Sequence, residues 1–256
     1  MIKKTLYNRL CPNCDNIINY NWKCDYDYAI VNISKCASCS TKKTQFKKGH
    51  QLNELYSIRE NSLDTLLEES NISFYWIGFL IADGYFKDNL FELCLGEKDK
   101  IHLEKFSKYI KYTKEIKYRC DTKSYRLYFS NKNSIPIIML KYGIINKKTY
   151  NPIDFSLLSG YSRELLISLL IGIIDGDGSI NSFRIKITSH ECWYDFYKKI
   201  MEYLNIPINI KKVNNRNVIS VIISKKQDID TIVNNIKENN LPFLERKWID
   251  IIKQRT

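Results

Sequence analysis

The sequence predicts an α+β fold in which two copies of one helix-and-strand unit follow a small cysteine-rich module. Three observations predict it. Five of the nine glycines fall in two windows, Trp76–Gly84 and Leu170–Gly178; two C-x-x-C pairs lie in the first fifty residues; and 40 Lys+Arg against 28 Asp+Glu leave a net charge of +12. The 256 residues, 44% of them hydrophobic, suffice for one large domain or two small ones with a real core, which excludes a disordered tail. The basic balance makes an extended polyanion the first partner class to test. Its footprint is uneven, because residues 1–50 carry nine Lys/Arg against three Asp, half the net charge.

The N-terminus, Met1 to Thr5, runs into polar, cysteine-rich sequence with no apolar stretch behind it. No secretory signal is read there, and the expected location is intracellular: cytoplasm, nucleus or an organelle matrix. Leu165 to Ile174 is the best apolar run, bounded by Glu164 and Asp175, and is too short for a membrane span; it is expected to be a buried helix. In a reducing compartment the eight cysteines read as metal ligands plus stray core thiols, not as a disulfide framework.

Cys11-Pro12-Asn13-Cys14 and Cys36-Ala37-Ser38-Cys39 stand 21 residues apart, close to the spacing of a four-cysteine zinc site. Two residues between thiolates let a single turn bring both sulfurs onto one cation, and the returning chain completes the tetrahedron. The segments 17–23 and 28–33 are expected to be short strands, making residues 1–50 a zinc-ribbon-like module that depends on its structural Zn²⁺. Cys24 is a spare ligand and His50 an outside candidate. Residues 51–71, with Leu52, Leu55, Ile58, Leu63, Leu66 and Leu67, are expected to form a helical linker.

Each glycine window is a continuous apolar run that ends in a small residue, an aspartate and a glycine, predicting a buried helix stopped by a glycine C-cap at Gly84 and Gly178. Strand-like and helix-like segments repeat after each window, with Asp83 to Asp177 and Ser130 to Ser224 both 94 residues apart. Gly78 with Ala82, and Gly172 with Gly176, place small residues four apart, so that two helices can meet backbone to backbone. Asp83 and Asp177 would then converge at one end of that interface, where helix dipoles are negative and a divalent cation relieves repulsion. Asp175, with Ile81 at its counterpart, reads as structural or peripheral.

The strands alternate basic and apolar residues. Arg184, Lys186 and Thr188 alternate with Phe183, Ile185 and Ile187; Lys117 and Arg119 with Ile116 and Tyr118; Arg126 and Tyr128 with Tyr125 and Leu127; Asn209 and Lys211 with Ile208 and Ile210. One face would pack on a core and the other would meet bases or phosphates of nucleic acid. Glu92 fits such a face poorly.

Residues 72–256 resemble the single-chain, two-motif LAGLIDADG homing endonucleases, on the strength of the two windows. The resemblance implies two pseudo-symmetric αββαββα halves, residues 72–152 and 153–256, packed through the motif helices, with both sheets forming a saddle over double-stranded DNA. It implies a monomeric, site-specific endodeoxyribonuclease in which Asp83 and Asp177 bind two or three Mg²⁺ ions. It implies a basic residue near each carboxylate, for which Lys132 and Lys226 occupy matching places, as do Lys98 and His190 after the earlier strands. The first window departs from the family pattern at Trp76 and Ile81, neither at the metal position. Other readings are a non-cleaving DNA-binding regulator, an RNA-binding splicing cofactor (maturase), and a zinc-dependent protein-interaction module.

Overall fold

The computed structural model describes residues 7–41, 61–181, 184–213 and 216–254. The chain divides into two units, residues 1–56 with 119–123 and residues 57–118 with 124–256.

In the first unit β1 (Tyr7–Leu10) and β2 (Ile17–Tyr20) pair antiparallel, Tyr7 opposite Tyr20 and Leu10 opposite Ile17. The first C-x-x-C forms the turn between them, closed by the Asp15 N–H on the Cys11 carbonyl at 3.0 Å, with Asp15 at φ 57°. Two helices follow, α1 (Lys23–Val31) and α2 (Ala37–Thr41). Segment 28–33, expected to be a strand, is therefore mostly helix. Its β-branched Val31 and Ile33 stay exposed while small Ala29 is the helix's buried residue, so burial of one small side chain outweighs strand propensity. Cys24 is disulfide-bonded to Cys120, so it is not a spare ligand and the cysteines do include a disulfide. Neither remaining thiol is a core residue: Cys94 is exposed and Cys192 half-buried. His50 and most of the linker lie outside the described residues; the linker's last turns, Asn61–Leu67, are 3-10 helix with Leu63 and Leu66 buried.

The second unit holds the repeat. Its first copy runs α3 (Asn71–Asp83), β3 (Gly84–Lys87), β4 (Leu90–Gly96), α4 (Lys100–Tyr109), β5 (Lys117–Arg119), β6 (Ser124–Ser130) and α5 (Ser134–Tyr142). Its second runs α6 (Arg163–Asp177), β7 (Gly178–Asn181), β8 (Arg184–His190), α7 (Tyr194–Tyr203), β9 (Ile210–Lys212), β10 (Val218–Ile223) and α8 (Lys226–Glu238), with α9 (Glu245–Gln254) added. The sheets share one strand order, β3-β4-β6-β5 and β7-β8-β10-β9. This is the α+β architecture of two αββαββα copies. Among the described residues no helix is long and apolar enough to cross a membrane.

Serine hydroxyls start both motif helices: Ser70 accepts the Ser73 N–H and Ser162 the Leu165 N–H. Both helices are apolar on all sides and buried from Ser73 to Ile81 and from Leu166 to Asp175. They pack parallel, backbone to backbone at Gly78 and Gly172. A Cβ on Gly78 would lie 1.9 Å from the Leu169 carbonyl oxygen, one on Gly172 2.0 Å from that of Tyr75, and one on Gly176 2.2 Å from the Ala82 Cβ. Gly84 and Gly178 follow the helices with φ of −71° and −93°, so they are not left-handed caps; each strand leaves its helix directly, and a Cβ there would strike the Leu80 or Ile174 carbonyl.

Gly78→Ala should gain about 1 kcal/mol of helix propensity and lose more to overpacking, about 3 kcal/mol, because the obstacle is backbone. Chemical denaturation is expected to show net destabilisation, with Gly160→Ala, whose Cβ would meet nothing within 4 Å, near neutral. Equal stability of the two variants would refute the close-packed interface.

Candidate functional site

Asp83 and Asp177 are the last residues of α3 and α6. Because the helices run parallel and meet at Gly176, the Asp83 carboxyl carbon is only 3.4 Å from where a Gly176 Cβ would be, one residue before Asp177. Two carboxylates thus share the negative ends of two helix dipoles. Their tips are open to solvent. Crowding by protein atoms nevertheless pushes Asp83 up to about 6, with the charge of Asp177 adding to the shift, and raises Asp177 as well.

Two half-buried lysines answer this charge. Lys148 donates to the carbonyls of Ile81 (2.5 Å) and Ala82 at the end of α3. Lys247 donates to those of Ile174 (3.2 Å), Asp175 (2.5 Å), Gly176 (3.2 Å) and Gly178 (2.6 Å) at the end of α6. Each ammonium satisfies carbonyls that a helix terminus leaves open. Their fields cross over: Lys247 acts more strongly than Lys148 on Asp83, and Lys148 more strongly on Asp177. Burial lowers both lysines while the carboxylates hold them up.

Sequence reasoning missed this pair and named Lys132 and Lys226 instead. Strand register places those two elsewhere. Gly84 faces Leu93 and Leu93 faces Leu127, whereas Ser130 faces Leu90 at the far end of the sheet, and Lys132 lies beyond it. Three strand residues span about 10 Å. The second sheet repeats the arrangement, with Gly178 on Ile187 and Ile223 on Ile185, so exposed Lys226 also lies at the end away from its aspartate. Lys98, in the turn after β4, is exposed at the aspartate end. His190 lines a cavity of about 300 Å³ with Asp177, Lys148, Ser189 and Tyr197.

Asp175 is buried, and burial pushes it up to about 6. Its carboxylate accepts from the Tyr75 hydroxyl (2.6 Å), the Leu244 N–H (2.8 Å) and Trp248 Nε1–H (2.5 Å). The Tyr75 oxygen in turn accepts from His102 Nε2 at 3.0 Å, and burial keeps His102 neutral, down to about 3.

The sheets present the expected alternation unevenly. On β8, Ile185 and Ile187 are fully buried, Arg184 and Thr188 exposed and Lys186 half-buried; Phe183 lies outside the described residues. On β6, Leu127 is buried and Tyr128 exposed, while Arg126 bonds Glu92 at 2.6 Å. Alternation fails on the short outer strands. Lys117, Tyr118 and Arg119 are all exposed on β5, and Tyr118 donates to Glu97 instead of entering the core. Asn209 precedes β9 and Ile208 beside it is exposed, while Lys211 and Lys212 are the exposed residues of the strand. Tyr85, Lys87, Ser179 and Asn181, on β3 and β7, were not anticipated and are exposed.

In the first unit the Sγ atoms of Cys11, Cys14, Cys36 and Cys39 all lie within 4.8 Å of one another. Tetrahedral coordination at a Zn–S distance of 2.3 Å would need sulfurs about 3.8 Å apart. The Cys36 N–H donates to Cys11 Sγ (3.3 Å) and the Asn13 amide to Cys39 Sγ (3.5 Å), contacts that favour thiolates. The Ser38 hydroxyl draws Cys36 down to about 6.

Asp83 binds its proton more tightly in the folded chain than at its ordinary value of 3.8. Stability therefore falls as pH rises from about 4 through 6 and is lowest once the group is ionised. In EDTA, Asp83→Asn should melt above wild type at pH 7.5 and lose that advantage near pH 4. A lower melting temperature for the variant at pH 7.5 would contradict the crowded carboxylate pair.

No protein-family model matches the sequence, and no curated protein matches it. Solved structures do. The I-LtrWI LAGLIDADG homing endonuclease bound to target DNA superposes with a TM-score of 0.53 at 16% identity, covering 75% of this chain and 89% of that one. I-SmaMI bound to an uncleaved DNA target in the presence of calcium ions gives 0.50 at 16% identity, covering 70% and 89%. With its paired helices, its twin sheets and its carboxylates at the helix ends, the chain has the fold of the LAGLIDADG homing endonucleases.

Proposed function

We propose that this chain is a site-specific DNA endonuclease that cuts both strands of a long recognition site with the help of a divalent cation. The observation that carries the reading is the pair of solvent-open carboxylates at the joined C-termini of α3 and α6, backed by Lys148 and Lys247. The donor set fits Mg²⁺. Two carboxylates, one per helix, leave positions for water and for phosphate oxygens, the hard ligands that Mg²⁺ prefers. When bound there, the cation supplies Lewis acidity toward water and toward the leaving oxygen of a phosphodiester.

The residues of the chain do the rest. Asp83 and Asp177 must be ionised, which the shift of Asp83 to about 6 allows at neutral pH. Lys148 and Lys247 place positive charge beside the carboxylates, so that a phosphate can approach them. The basic sheet faces, with Arg184, Lys186, Lys117 and Arg126, supply phosphate and base contacts. His190, which lines the cavity with Asp177, and Lys98, in the exposed turn after β4, are read as polar groups for the scissile phosphates. The four-cysteine module, holding one structural Zn²⁺, adds DNA contacts, and the protein works inside the compartment that holds its target.

A plasmid carrying the chain's own genomic locus, with the reading frame or its intron deleted, tests the reading. Wild type should make a discrete double-strand cut in Mg²⁺ and none in EDTA, and Asp83→Asn and Asp177→Asn should each lose the cut or leave a nick. Salt-sensitive binding without any cut by wild type would favour the regulator or splicing-cofactor reading instead.

Metal analysis tests the module. Purified protein is expected to carry one zinc per chain, lost in Cys11→Ser, with a lower melting temperature for the module. Full-length protein that folds and binds DNA without zinc would remove the structural role.

A further inference from the structure

Asp175 occurs in the second motif window only; Ile81 stands at its counterpart. Its carboxylate is 1% exposed and is surrounded by donors: the Tyr75 hydroxyl from the opposite half, the Leu244 N–H and Trp248 Nε1–H. Leu244 immediately precedes α9 and Trp248 lies in its first turn. Lys247 sits between them, its Nζ on four carbonyls around the end of α6. A carboxylate is the group this place requires. It only accepts, whereas an asparagine would turn its NH₂ against one of three donors.

The two lysines are held by different devices. The segment carrying Lys148 is fixed by Trp193 Nε1–H, shared between the carbonyls of Lys148 and Thr149 at 3.1 Å each. Asp175 makes no contact of that kind with Lys148; its bonds go to α9 and to α3.

We propose that Asp175 is a positioning residue, which clamps the start of α9 on both sides of Lys247 and so holds that ammonium at the end of α6, beside the carboxylate pair, serving one of the two strand cuts. The strand-cutting part of the proposal rests on the endonuclease reading; the clamp itself does not. Loosening the clamp releases Lys247 and leaves Lys148 in place. The two strands of one target then react at different rates.

The test uses the full chain and two variants, Asp175→Asn and the milder Trp248→Phe, which removes one donor and keeps the aromatic bulk if the first fails to fold. Limited acetylation without DNA, read peptide by peptide by mass spectrometry, should show Lys247 reacting several-fold faster in the variants and Lys148 unchanged. With plasmid substrate, nicked circles should accumulate, one strand being cut about tenfold more slowly or worse, while DNA affinity stays near that of wild type. An equal rise in both lysines, or no rise in Lys247, would overturn the clamp. Equal slowing of both strands would overturn the assignment to one half-site. If wild type cuts nothing, the endonuclease reading falls, and acetylation still decides the clamp.

Discussion

Everything at the candidate site follows from one contact, the meeting of α3 and α6 backbone to backbone at Gly78 and Gly172. A Cβ on Gly78 or Gly172 would land within 2.0 Å of a carbonyl oxygen on the facing helix. Helices that close and parallel must bring like ends of their dipoles together, and here each end also carries a carboxylate. The fold answers with two cations driven into the open carbonyls of the helix termini, Lys148 and Lys247. They offset part of that cost, yet burial, and after it the charge of Asp177, still pushes Asp83 up to about 6. Under the endonuclease reading, this is an electrostatic cost that a bound divalent cation would relieve.

The halves also hold each other's lysines. Asp99 grips Arg246, the neighbour of Lys247, through both carboxylate oxygens at 2.6 and 2.8 Å, and Trp193 holds the segment of Lys148. Asp99 and Trp193 are 94 residues apart, so one repeat position does the same job twice with different chemistry. The pair is two-pronged, with the Asp99 side chain mostly covered and that of Arg246 half exposed. It has a geometric effect, because it ties the start of α9 to the opposite half.

The legible parts of this protein were those written in local chemistry. Glycines four residues apart from small partners gave away the interface, the repeated spacing gave the two copies and their aspartates, and the C-x-x-C pairs gave the sulfur cluster. The lysines were hidden for two reasons. Lys148 and Lys247 are 99 residues apart, outside the 94-residue repeat that Lys132 and Lys226 obey, and their partners are backbone carbonyls, which no sequence pattern records. Segment 28–33 misled because strand propensity is a statement about fit to a half-buried surface, and here Ile30, Val31 and Ile33 stay exposed while only small Ala29 is buried.

Backbone symmetry does not extend to the sheet surfaces. In the first sheet Glu92 lies opposite Tyr128 and bonds Arg126, whose guanidinium also sits 5.3 Å from the Tyr128 ring centre. Glu92, out of place on a basic face, therefore fixes an arginine that would otherwise lose its freedom only on binding. At the equivalent position the second sheet has Lys186 opposite Ile222, with Ser220 in the place of Arg126. One surface offers an oriented planar donor fork, the other a single point charge. Under the endonuclease reading, a chain with unlike halves is suited to a target whose two half-sites differ, and its two strand cuts have no physical reason to be equivalent.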